Sequence, residues 1–116
     1  MHKIYSVTAY IHSHYNSGLS LDSISREFYI SPYYLSHQFK SVTGSTLTEY
    51  VQMTRIRNAQ QLLINTRLKI SVIAEQCGFN SFSQFNRVFH KLSGMSPSAF
   101  RKHQATSSPS STLLSY

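Results

Sequence analysis

Two segments of the sequence carry polar side chains at the i, i+3, i+4 and i+7 spacing of one helix face. The faces are Tyr33, Ser36, His37 and Lys40 in the first segment, and Ser83, Asn86, Arg87 and His90 in the second. Arginine can donate two hydrogen bonds to guanine, asparagine can pair with adenine, and serine and histidine make single polar contacts. Neither face carries a carboxylate, so both suit the edges of bases in DNA.

Further residues extend these two faces toward a nucleic acid. Phe82 and Gln84 flank the second face at its start, where an aromatic ring can pack on thymine methyl groups. Phosphate contacts are expected from polar and basic residues near helix starts and turns, namely Ser31, Arg67, Lys69, Ser81, His90, Lys91, Arg101 and Lys102. The alternative interpretation is two ordinary solvated helix faces.

An internal repeat argues against that alternative. A shift of 49 residues aligns Leu21 with Ile70 and Ile24 with Ile73, and a shift of 50 residues aligns later residues such as Phe39 with Phe89. Two copies are too few for a solenoid, so the pattern indicates two similar modules in tandem. The two polar faces fall at matching positions of the modules.

Each module has the pattern of a helix, a short turn and a second helix. In the first module Ser20 is a predicted N-cap, Ser31-Pro32 starts the second helix, and Gly44 stops it. In the second module Gly78 supplies the turn, Ser81 with Gln84 predicts a capping box, and Gly94 ends the helix. The inward stripes are predicted to be Leu35, Phe39 and Val42 in one module, and Phe85, Phe89 and Leu92 in the other.

A longer helix is predicted between the modules. It begins at a capping box of Thr46 and Glu49 and runs to about Asn65, which gives roughly 28–30 Å at 1.5 Å per residue. An earlier helix over about residues 4–15 is expected to pack on the first module. The predicted division is 1–45 for the first subdomain, 46–66 for the linker helix, 67–103 for the second subdomain, and 104–116 for a disordered tail.

The charge balance fits a polyanionic partner. The chain has 11 Lys and Arg against 4 Asp and Glu, a formal charge of +7 and a pI near 9.8. A membrane surface fits poorly, because the positive charges are spread along the chain and do not cluster beside an apolar anchor. The single cysteine, Cys77, excludes an intrachain disulfide and is expected to be a small buried side chain. These features favour the cytoplasm.

Catalysis and metal binding are not predicted. The four carboxylates all fit cap or exposed helix positions, and no cofactor motif is present. His12 and His14 are two residues apart on a helix, so their side chains diverge instead of meeting at one ion. We therefore expect neither an enzyme nor a cofactor or metal site.

The second module resembles the AraC/XylS family of transcription regulators over a long pattern. That pattern is Ile70-x-x-Ile73-Ala74-x-x-x-Gly78-Phe79-x-Ser81-x-x-x-Phe85-x-Arg87-x-Phe89-x-Lys91-x-x-Gly94-x-Ser96-Pro97-x-x-Phe100-Arg101. Upstream, Arg55-x-x-x-Ala59-x-x-Leu62-Leu63 is similar to the linker helix of the family. Tyr29 stands where several relatives have glycine, so the first turn is expected to be strained or differently shaped.

The resemblance implies an all-α fold of about seven helices, with two helix-turn-helix subdomains joined by a long linker helix. It implies binding to asymmetric promoter DNA, commonly to activate transcription through contacts with RNA polymerase. The positions that carry base contacts in the family match Tyr33, Ser36 and His37 in the first reading helix, and Phe82, Ser83, Gln84, Asn86 and Arg87 in the second. Most members also carry a separate sensor or dimerisation domain. This chain is therefore either a stand-alone short member or a fragment of a longer regulator, and we favour the fragment. The isolated domain is expected to be a monomer, and a dimer of the intact regulator would form through the separate domain.

The sequence therefore predicts sequence-specific binding of double-stranded DNA, with two recognition helices in successive major grooves of about 20 base pairs. The alternative is a helix-turn-helix module that binds another protein and not DNA. The basic, acid-free faces favour the first interpretation.

Overall fold

The computed structural model describes residues 3–106, and the regular structure in that range is α-helical. Its seven helices are α1 (Lys3–His14), α2 (Leu21–Glu27), α3 (Pro32–Thr43), α4 (Leu47–Asn65), α5 (Ile70–Gln76), α6 (Phe82–Ser93) and α7 (Pro97–Thr106). The predicted all-α class, with two helix-turn-helix subdomains and a long helix between them, is confirmed. The chain divides into two compact units between Arg55 and Ile56, inside α4.

The first unit is built around an apolar cluster to which four helices contribute. Helix α1 packs on this unit, as predicted, through Ile4, Val7 and Ile11 at helical spacing. The remaining buried members come from α2, α3 and α4, and are Ile24, Leu35, Phe39, Leu47 and Val51. Full burial of each large aliphatic or aromatic side chain contributes about 1.5–3 kcal/mol, which makes this cluster the main stabilising feature of the unit.

The second unit has a core rich in phenylalanine. Phe85 is fully buried, and its ring lies 5.2 Å from that of Phe79 and 5.6 Å from that of Phe89, measured between centroids. Phe100 of α7 meets Phe89 edge-on at 5.5 Å. Cys77 is buried in this unit, as the sequence predicted.

The prediction that Leu92 of α6 belongs to the core is wrong. Leu92 is 43% exposed, whereas Val88, which the sequence analysis left out of the stripe, is buried. Leu92 has the angular position of the buried face, so its exposure follows from its place along the helix axis. It lies in the last turn, next to the C-cap Gly94, where the packed surface of the helix ends.

The helix starts show which predicted caps form. The capping box of Thr46 and Glu49 is complete, since the Thr46 amide donates to Glu49 Oε1 at 2.9 Å and the Glu49 amide donates to Thr46 Oγ1 at 3.1 Å. Ser20 caps α2 as predicted, and its box is completed by Ser23. At α6 the described structure forms only the first half of the predicted box, the bond from the Gln84 amide to Ser81 Oγ at 3.2 Å.

The last helix is longer than the sequence indicated. The predicted disordered tail began at residue 104. Helix α7 instead extends to Thr106, so residues 104–106 are helical. The rest of the predicted tail, residues 107–116, lies outside the described residues. None of the helices in the described range combines the length and apolar character needed to cross a membrane.

The turns between the two helices of each module both contain a residue with a positive φ, and the residue type differs between the modules. Gly78 has a φ of 98°, and Tyr29, its counterpart 49 residues earlier, has a φ of 56°. The amides of Tyr29 and Ile30 donate back to carbonyls of Arg26 and Ser25, which ties the strained residue to the end of α2. A residue with a Cβ in the left-handed region costs about 1–2 kcal/mol, so the strain expected from the sequence is present at Tyr29.

Replacing Tyr29 with glycine should therefore stabilise the protein. The Tyr29 side chain is 91% exposed, so its removal loses little packing. Relief of the left-handed strain, less the added entropy of a glycine in the unfolded chain, should raise the free energy of unfolding by roughly 0.5–1 kcal/mol. Urea unfolding followed by circular dichroism measures the change.

The matched control for that experiment is Gly78→Ala, which introduces the same strain into the second module and should lower the free energy of unfolding by about 1 kcal/mol. A Tyr29→Gly protein no more stable than the parent would show that the turn is not strained.

Candidate nucleic-acid interface

Helix α3 presents the first predicted face to solvent. Its opposite side buries Leu35 and Phe39 completely, and this burial fixes the rotation of the helix about its axis. Tyr33 is then 73% exposed, and Ser36, His37 and Lys40 are exposed as well. All four predicted residues therefore lie together on the accessible side of α3.

Two of these residues form a defined pair. The rings of Tyr33 and His37 lie 4.0 Å apart between centroids at an interplanar angle of 34°. The imidazole Nδ1 of His37 lies 3.1 Å from the backbone carbonyl oxygen of Tyr33, one helical turn back. The two contacts hold the imidazole against the helix, so less side-chain freedom remains to be lost on binding.

Helix α6 presents the second predicted face in a similar way. Phe85, Val88 and Phe89 are buried on the inner side. On the outer side Ser83, Arg87 and His90 are exposed, and Phe82 is 48% exposed. Gln84 and Asn86 are half-buried, so they lie at the margins of this face and not at its centre.

The structure exposes one further aromatic side chain of α3 next to the predicted face. Tyr34 on α3 is 46% exposed beside Tyr33, and its backbone amide donates to the N-cap Ser31. It is the counterpart of Gln84 under the 50-residue shift. Applying the repeat to every predicted contact would have identified Tyr34 from the sequence.

The predicted phosphate contacts fall into two groups. The larger group is exposed, and consists of Ser31, Arg67, Lys69, Ser81, His90, Lys91 and Lys102. Within it, the Ser31 and Ser81 hydroxyls accept hydrogen bonds from backbone amides of the helices they cap. They mark helix N-termini, where free amides and the helix dipole favour an anion.

Arg101 forms the second group alone. Its side chain is half-buried, its Nε donates to the Leu63 carbonyl at 3.1 Å, and its terminal nitrogen donates to the Thr66 carbonyl at 3.2 Å. These carbonyls lie at the end of α4, where a helix leaves acceptors without intrahelical partners. The structure thus gives Arg101 partners within the protein, which differs from the predicted phosphate contact.

Arg55 makes the corresponding bonds in the first unit. Its Nε donates to the Tyr15 carbonyl at 2.7 Å and its terminal nitrogen to the Ser17 carbonyl at 2.9 Å, just after the end of α1. Both arginines therefore use the planar fork of the guanidinium on backbone carbonyls. Charge count alone cannot separate such arginines from those that face a ligand.

The histidines of α1 have separate partners. His12 Nε2 lies 2.8 Å from the hydroxyl of Tyr50, while the His14 ring stacks on that of Tyr10 at 4.1 Å between centroids. Within residues 3–106, no group of three or more His, Cys, Asp or Glu side chains is placed to hold a metal ion.

Two modules, each with a buried stripe and an exposed acid-free face on its second helix, match the helix-turn-helix arrangement. The helix-turn-helix domain family matches residues 24–103. The chain belongs to the AraC/XylS family of transcription regulators. It is an AraC-type helix-turn-helix DNA-binding domain, and the family resemblance predicted from the sequence is confirmed.

Individual AraC-type proteins support the same assignment. The chain is 38% identical over 97 residues to the uncharacterized HTH-type transcriptional regulator YijO of Escherichia coli K12, covering 84% of this chain and 34% of that protein. It is 39% identical over 85 residues to the HTH-type transcriptional activator RhaR of Salmonella dublin, covering 73% of this chain and 30% of that protein. The chain thus spans about a third of the length of these relatives.

A solved AraC-type structure shows the same fold with DNA bound. The DNA-binding domain of AdpA, a global transcriptional factor in complex with a target DNA, aligns with a TM-score of 0.87 at 25% identity. The alignment covers 91% of this chain and 96% of that domain.

The internal role of Arg101 predicts a loss of stability on substitution. Arg101→Gln removes two hydrogen bonds from a charged donor and should lower the free energy of unfolding by about 1.5–3 kcal/mol. The dependence of DNA affinity on salt should stay unchanged, because no phosphate contact is lost. Urea unfolding and a salt titration of DNA binding measure the two effects.

Lys91→Gln is the matched control, since it removes the same charge from an exposed position of α6. It should change the free energy of unfolding by less than about 0.5 kcal/mol and reduce the salt slope by about 0.9. If Arg101→Gln instead behaved like Lys91→Gln in both measurements, Arg101 would be a phosphate contact after all.

Proposed function

We propose that this AraC-type domain binds a specific, asymmetric promoter site in double-stranded DNA, with α3 and α6 as its reading helices. The main support for this proposal is that α3 and α6 both have an exposed, acid-free polar face opposite a buried apolar stripe. In a helix-turn-helix the second helix enters the major groove, and α3 and α6 are the second helices of their modules.

The residues divide by chemistry into base contacts and phosphate contacts. The base contacts proposed are Tyr33, Ser36, His37 and Lys40 on α3, and Phe82, Ser83, Gln84, Asn86 and Arg87 on α6. The phosphate contacts proposed are Ser31, Arg67, Lys69, Ser81, His90, Lys91 and Lys102. Phosphate contacts set register and affinity, whereas base contacts set sequence preference.

The two reading helices are proposed to enter successive major grooves, which are about 34 Å apart on one side of the duplex. Helix α4, which joins the two modules, has 19 residues and a rise of about 28 Å along its axis. The proposal predicts a protected site of about 20 base pairs bound by one chain, with some bending of the DNA.

The regulatory output is proposed by analogy to relatives. RhaR is named a transcriptional activator, so activation through contacts with RNA polymerase in the bacterial cytoplasm is the proposed role. We propose that the domain is monomeric alone, that a further domain supplies dimerisation in the intact regulator, and that the domain acts by binding and not by catalysis.

A gel-shift titration with random duplex at low salt tests the alternative of a protein-only adaptor, which should show no binding.

Substitution of Arg87 gives the most specific test of base contacts made by α6. Arg87→Ala removes a side chain that can donate two hydrogen bonds to guanine, and should cost about 1–3 kcal/mol of binding free energy at the cognate site. Preference at one base pair should relax, while affinity for random duplex should fall far less. Fluorescence anisotropy with cognate and random duplexes measures both affinities, and equal losses on the two duplexes would contradict a base-reading role.

Lys69 tests the phosphate contacts. It is exposed at the N-cap of α5, and its side chain makes no cap hydrogen bond. Lys69→Ala should weaken binding to cognate and random duplexes alike and reduce the slope of log affinity against log salt by about 0.9. Ser71→Ala, at an exposed uncharged position of the same helix, should leave the slope unchanged. An unchanged slope in the Lys69 variant would remove it from the phosphate set.

A further inference from the structure

We propose that His37 accepts a hydrogen bond from its base, so that the first module selects cytosine or adenine, the bases that present an exocyclic amino group in the major groove, at this position. The second module has the opposite polarity at the equivalent position, where Arg87 can only donate. This inference rests on the proposed function, and it names which chemical group of the base each module recognises.

The internal contact of His37 determines which nitrogen carries the proton. Its Nδ1 lies 3.1 Å from the backbone carbonyl oxygen of Tyr33, and a carbonyl oxygen can only accept a hydrogen bond. Nδ1 is therefore the donor in this pair. A neutral imidazole has one N–H, so the other ring nitrogen, Nε2, carries a lone pair and acts as an acceptor.

The surroundings of the ring keep this arrangement in place. Tyr33 packs on the imidazole at 4.0 Å between ring centroids, and the hydrogen bond from Nδ1 fixes the edge of the ring that faces the helix. Nε2 is on the distal side of the ring, and His37 is exposed. The acceptor is thus presented to solvent by a side chain held at two points.

In the major groove, the four bases differ in whether they can donate a hydrogen bond to such an acceptor. Cytosine presents the N4 amino group and adenine the N6 amino group, both of which donate. Guanine presents N7 and O6, and thymine presents O4, all of which accept and would face the Nε2 lone pair. His37 therefore selects cytosine or adenine over guanine or thymine.

The repeat supplies the comparison with the second module. A shift of 50 residues places His37 at Arg87, which is exposed at the same position of α6. A guanidinium has only donors and selects guanine through its N7 and O6. The two half-sites should consequently differ in hydrogen-bond polarity at matched positions, which gives the bound DNA a direction.

The experiment is the selection of bound sites from a random duplex library in a mildly alkaline buffer. The parent chain should enrich cytosine or adenine at one position of the first half-site and guanine at the matched position of the second. His37→Arg should convert the first position to guanine and leave the second unchanged. The reciprocal control, Arg87→His, should convert only the second position to cytosine or adenine.

A direct affinity measurement on the parent chain provides the second readout. Inverting the selected base pair replaces the amino group with an acceptor, and should weaken binding of the parent by about 3–10-fold, the value of one hydrogen bond. The same inversion should strengthen binding of the His37→Arg chain.

Enrichment of guanine or thymine at the position that His37→Arg alters would overturn the inference and leave the proposed function intact. An unchanged preference in His37→Arg at every position would also overturn it, because His37 would then contact no base. Binding of the parent chain without any sequence preference would overturn both this inference and the proposed function.

Discussion

The burial of one apolar stripe on each reading helix determines which side chains the opposite side of that helix exposes to solvent. Leu35 and Phe39 in α3, and Phe85 and Phe89 in α6, have no exposed surface. Rotating either helix by a third of a turn would expose two such side chains, at a cost of about 1.5–3 kcal/mol each. The rotation is therefore fixed by the core, and the polar residues between these positions are directed outward as a consequence.

The same constraint explains how two modules with different chemistry keep one scaffold. The buried positions of the repeat are apolar in both copies, as in Ile24 with Ile73 and Phe39 with Phe89. The exposed positions carry different groups, as in His37 with Arg87. Because the exposed face contributes little to the core, it can vary in each module without loss of the fold.

Basic residues in this domain serve two separate purposes. Arg55 and Arg101 donate to backbone carbonyls close to the ends of α1 and α4, where helices leave acceptors unsatisfied. Lys69 and Lys91 are exposed and are available to an anion. The formal charge of +7 thus overstates the charge that faces a nucleic acid, since part of it stabilises the protein itself.

Local interactions made much of this protein predictable from its sequence. Caps such as Ser31 and Ser81, the left-handed glycines, and the apolar stripes all depend on residues within about four positions, whose spacing is visible along the chain. The exposed faces of α3 and α6 followed from the same spacing. Long-range packing decided the rest: the exposure of Leu92, the burial of Val88, and the bonds of Arg101 to carbonyls of residues 63 and 66. Whether a side chain is covered, or which distant carbonyl it meets, depends on where other helices end in space, and sequence spacing carries no such information.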